Sequence, residues 1–111
     1  MEAVDHWHEA IANAWQSTIE QAQFTLKQPV KKVSLMIWGD PSLYDSALRI
    51  AERLDPMPFV TVVPGITAIQ ALAAAHKIPV NDLGSPFLVT TGRRLKEDGF
   101  PKDYEKVVVM L

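Results

Sequence analysis

Two short runs in this chain of 111 residues combine residue types that can hold a ligand against the backbone: "WGDP" at 38–41 and "VPGIT" at 63–67. Gly39 lets a ligand approach backbone amides closely, and Asp40 sets a carboxylate beside it. Asp40 followed by Pro41 also suits a helix start, with Asp accepting from orphan amides and Pro filling a position whose amide has no partner. Pro64 and Gly65 are turn residues, and Thr67 suits the cap of a following helix. A third run, "TTGRRL", sets Arg93 and Arg94 behind an apolar stretch, where they either bind carboxylates or border a solvated loop.

Other chemistries find little footing. There is no cysteine, which removes disulfides, thiolate chemistry and cysteine metal sites. His6 and His8 stand two apart on a helical stretch and point to different faces, while His76 lies near a helix end where an imidazolium suits the dipole. No metal site is expected from them. No Walker, GxSxG or GxGxxG pattern is present.

The elements that must position these residues follow from the apolar spacing. Residues 2 to 27 lack Gly and Pro and place Trp7, Ile11, Trp15 and Ile19 four apart, which predicts one helix with an apolar stripe ended by Pro29. Trp7, Trp15 and Ile19 are expected in the core. Residues 33–38 and 59–63 read as buried strands. A helix carrying Leu43, Ala47, Ile50 and Leu54 is expected between them, and a third helix containing "ALAAA" after Gly65. "FLVTT" and "KVVVM" are two more strand-like runs, separated by a polar loop. Strands alternating with helices imply a parallel sheet, so both turns would lie at its carboxyl edge, where open α/β sheets bind ligands.

With 48% apolar and 22% charged residues the chain can build a core, and a net charge of −2 gives no basic face for nucleic acid. With neither a signal peptide nor an apolar span long enough for a bilayer, the cytoplasm is the default expectation and no membrane partner is expected. The chain stops on "YEKVVVML", inside a strand-like run, and is therefore expected to be a piece of a longer protein.

Taken together, "WGDPSLYDSALRIAERL", "VVPGITAIQALAAAHKIPV" and "FLVTTGRRL" resemble the tetrapyrrole methylases. The longer "WGDPSLYDSALRIAERL" and "TTGRRL" most resemble the branch of cobalamin (vitamin B12) biosynthesis that methylates precorrin-5 at C1, releases acetate and gives precorrin-6A, and the likeness extends over nearly the whole chain, "DHWHEAIANAW" included. The resemblance implies a parallel-sheet α/β sandwich within a two-domain fold, and an S-adenosylmethionine-dependent C-methyltransferase with no metal. It implies that residues 1–76 are the C-terminal part of the first domain, 77–86 a connector and 87–111 the start of the second. The isolated piece is then expected to be inactive. The full-length protein is left open as a homodimer.

By the same resemblance the cofactor contacts fall on Trp38, Gly39, Asp40, Leu43, Thr67, Ala68 and Met110, and substrate contacts on Tyr44, Arg93 and Arg94. Asp40 is the catalytic candidate, with capping, cofactor orientation and proton handling all open to it. Methyl transfer fits the residues, since in-line positioning can supply much of its acceleration without a nucleophilic side chain. The rival expectations are another precorrin methyltransferase and a noncatalytic α/β binding module.

Overall fold

The breaker-free N-terminal stretch forms a single long helix, α1 (Glu2–Leu26), in the computed structural model of the chain, which describes residues 2–110. It ends where Lys27 takes a left-handed φ of 52°, shortly before Pro29, as helix C-termini commonly do. The packed face differs from the expected stripe. His8 and Ala12 are buried, Ile11, Trp15 and Ile19 are half-buried, and Trp7 is 53% exposed. Trp7 is thus a surface residue: it sits about 100° around the helix from His8, on which the packed face is centred.

The partner of that face is α2 (Ala47–Ala51), which brings the buried Ile50 and Ala51 against α1. It is shorter than the helix expected from Leu43 to Leu54. Tyr44 has φ 52°, a left-handed backbone that cannot continue a right-handed helix, so the helix starts after it, with Ser46 at the N-cap. At the other end Arg53 and Leu54 donate to the carbonyls of Ile50 and Ala51, tightening the last turn ahead of Pro56. Arg53 reaches Asp5 at 3.1 Å and Glu9 at 3.8 Å on α1.

The runs 33–38 and 59–63 are not strands among the described residues. A parallel strand is held by slanted bonds to a neighbouring strand, and neither run meets one here. Met36, Trp38 and Phe59 are each at least 96% exposed.

The parallel sheet is built later in the chain. Strand β1 (Leu88–Thr91) pairs in parallel with β2 (Val107–Met110), in a register running from Leu88 opposite Val107 to Thr91 opposite Met110. Parallel strands need a crossover, and it contains a further helix, α4 (Gly92–Asp98), where a polar loop was expected. Helix α3 (Ala68–His76) precedes this strand–helix–strand segment and contains no buried residue. The chain divides into two compact units, Met1–Gly65 and Ile66–Leu111. The α/β class with a parallel sheet is as expected. No helix among the described residues is long and apolar enough to cross a membrane.

Candidate functional site

The turn after residue 38 is built around Asp40. Leu43 N–H donates to the Asp40 carbonyl at 3.2 Å, closing a turn with Pro41 at its second position, where a fixed φ is pre-set. The Asp40 Oδ1 accepts from Ser42 N–H at 2.8 Å and from the Ser42 hydroxyl. That is an Asx turn, so Asp40 does not cap a helix. Its other oxygen, Oδ2, accepts from Gly65 N–H at 2.9 Å. The Ser42 hydroxyl foremost, then the Gly65 and Ser42 amides, hold the carboxyl below its ordinary value by favouring the anion.

Around that carboxylate the first unit presents mostly backbone. Gly39 has φ 79°, a left-handed conformation that favours glycine. Gly65 packs so close that a Cβ there would lie 2.1 Å from the Gly39 carbonyl oxygen. Trp38 turns a 98% exposed indole outward, Leu43 is half-buried, and Tyr44 is 52% exposed on its left-handed backbone. A bulky residue held in that region stores about 1–3 kcal/mol, and such residues cluster at ligand sites.

In the second unit Thr67 takes the N-cap position of α3, as expected, with Ala68 the first helical residue and exposed. The Gln70 carboxamide oxygen accepts from Thr67 N–H at 3.0 Å and from the Thr67 hydroxyl. Gln70→Ala is expected to remove both bonds and cost about 1 kcal/mol of helix stability. The loss would appear as reduced helicity in far-ultraviolet circular dichroism, and undiminished helicity would count against this cap.

Arg93 and Arg94 lie in the first turn of α4, whose N-cap Thr91 accepts from Arg94 N–H at 3.3 Å. The Arg94 guanidinium pairs with Asp98 at 3.4 Å, with both side chains exposed. Together with Leu88, Thr90, Leu95 and Pro101 they line a surface depression of about 290 Å³. Arg93 is exposed, and Met110 ends β2 opposite Thr91. The structure thus groups Trp38, Gly39, Asp40, Leu43 and Tyr44 in one turn region, Thr67 and Ala68 at the start of α3, and Arg93, Arg94 and Met110 in the strand–helix–strand segment. Sequence reasoning did not single out Ser42 and Gly65 as partners of Asp40. The pairing of two turns was the available signal.

Comparison with known proteins gives three findings. The family described as Tetrapyrrole (Corrin/Porphyrin) Methylases matches residues 2–111. The precorrin-6A synthase (deacetylating) of Sinorhizobium sp is 42% identical over 113 residues, covering 98% of this chain and 41% of its own length. A crystal structure of a protein related to cobalamin synthesis (CobF) from Corynebacterium diphtheriae superposes with a TM-score of 0.73 at 42% identity, over 99% of this chain and 46% of that one. The chain therefore spans less than half the length of these relatives.

Proposed function

Since the chain belongs to the tetrapyrrole (corrin/porphyrin) methylases, we propose that it forms part of a C-methyltransferase of cobalamin biosynthesis. The whole protein would methylate precorrin-5 at C1, with release of acetate, to give precorrin-6A. The observation that carries this reading is the 42% identity to a deacetylating precorrin-6A synthase across 98% of the chain.

S-adenosylmethionine would supply the methyl group on an electrophilic sulfonium carbon. The residues around the first turn fit such a ligand: the exposed indole of Trp38 offers a π-face to a cation or an adenine ring, and Gly39 leaves the backbone open beside it. Trp38, Gly39, Asp40 and Leu43 are the proposed cofactor contacts of the first unit, and Thr67, Ala68 and Met110 those of the second. Tyr44, Arg93 and Arg94 are proposed to meet the substrate, the arginines through its carboxylates. These groups bind and orient, which is what an in-line methyl transfer asks of a protein. Residues 1–76, 77–86 and 87–111 are proposed as the end of one domain, a connector and the start of the next.

Calorimetric titration of S-adenosylhomocysteine into this chain and into the complete protein tests the reading. Saturable binding by the complete protein is expected, with weaker binding or none by the chain alone. Binding by neither would overturn it in favour of a noncatalytic module. Turnover products that keep the acetyl unit, read by mass, would point to another precorrin methyltransferase.

A further inference from the structure

We propose that Asp40 and Gly65 form a latch that fixes the spacing of the two turns, which makes Asp40 a positioning residue for the Trp38–Gly39 wall and not a proton carrier. The inference rests on the methyltransferase reading for what the latch serves, and on geometry alone for the latch itself.

Three observations carry it. First, both carboxylate oxygens are taken: Oδ1 by the amide and hydroxyl of Ser42, and Oδ2 by Gly65 N–H at 2.9 Å. A carboxylate with both oxygens met by donors is stabilised as the anion, which is the opposite of what a proton acceptor needs. Second, Gly65 meets the first turn at two points. Its amide binds Asp40, and its Cα lies so near the Gly39 carbonyl that any side chain would be 2.1 Å from that oxygen. Third, the runs leading into the turns, 33–38 and 59–63, share no ladder among the described residues. Among the described residues the Asp40–Gly65 bond ties together the turns that follow these runs.

The latch should therefore behave as one unit. The donors of Ser42 and Gly65 point at a single anion, so both amides must sense its protonation together. Asp40→Asn keeps the size and leaves one acceptor oxygen, but turns an NH₂ group toward the remaining donors. Gly65→Ala leaves the carboxylate intact and drives the turns apart. Because each change breaks the same contact, their effects on ligand binding cannot add.

The test uses the ¹⁵N-labelled chain. On acidification the amide protons of Ser42 and Gly65 are expected to move with one shared midpoint, below the usual carboxylate range, and both movements should vanish in Asp40→Asn. In the complete protein, Asp40→Asn and Gly65→Ala are each expected to weaken S-adenosylhomocysteine binding roughly tenfold, equivalent to about 1.4 kcal/mol, with the double variant no weaker than the worse single. A Gly65 amide that ignores Asp40→Asn, or additive losses, would overturn the latch. Coupled amides in a complete protein that binds no S-adenosylhomocysteine would overturn the functional reading and with it the positioning role, the tie between the turns alone surviving.

Discussion

Gly65→Ala is expected to destabilise the chain by about 1–3 kcal/mol, the range for forcing extra atoms into an occupied space. The added Cβ would stand 2.1 Å from the Gly39 carbonyl oxygen, where real contacts essentially never fall below 3.0 Å. The obstacle is backbone, so no rotamer change relieves it. The two turns must separate by about 1 Å, which also stretches the 2.9 Å bond from Gly65 to Asp40 beyond useful length. Gly92→Ala provides the contrast. Nothing lies within 4 Å of a Cβ there, and the residue opens α4, so alanine should be neutral or stabilising by roughly 0.5–1 kcal/mol. Urea denaturation of the two variants beside the parent measures the difference. Equal midpoints for Gly65→Ala and the parent would mean that the two turns do not depend on their close approach.

Acid should undo the same contact by a different route. The folded carboxyl of Asp40 is held below its ordinary value, so whatever the latch contributes is present above the ordinary value and is lost as pH falls through the lowered one. The group is open to solvent, and the effect is local to the turn.

Local sequence signals survived where the chain could satisfy them by itself. A long stretch without breakers and with regular apolar spacing became α1 nearly to the residue, because every helical hydrogen bond is internal to it. Thr67 and the small apolar run after it became α3 for the same reason. Strand signals depend on something else. "FLVTT" and "KVVVM" found one another, whereas the equally apolar 33–38 and 59–63 found no neighbouring strand, and a strand without a ladder is only an extended run. Helix α4 carries no periodic signal, because Leu95 is its one apolar residue, although Thr91 before it is a good cap. At the site, the Asx turn competed with the helix cap for the Asp40 carboxylate, and both are satisfied by the same sequence. The bond to Gly65 spans 25 residues and had no local signature.

Ile50→Ala is expected to cost about 2–5 kcal/mol, the range for emptying a buried aliphatic site, which is a large share of the roughly 5–15 kcal/mol that holds a typical domain. Ile50 is 3% exposed on α2, which packs against α1, and the other buried apolar residues of these two helices, Ala12 and Ala51, are too small to close the gap. The ion pairs of Arg53 with Asp5 and Glu9 on the rim offset little of this, because exposed pairs contribute about 0–1 kcal/mol. The consequence should reach the turn. His8, buried on α1, bonds the Ser46 hydroxyl at 2.9 Å, and Ser46 stands between the Asp40 turn and α2. Loosening α2 therefore frees one end of the segment that carries Tyr44 and Asp40, while the other end stays tied to Gly65. Amide exchange on the Ile50→Ala chain would register both effects: loss of protection along α1 around His8 and Ala12, and faster exchange at Ser42 and Leu43. Lost protection in α1 with unchanged exchange at Ser42 would mean that the latch alone holds the turn. Unchanged protection throughout would mean that the contact between α1 and α2 contributes little to stability.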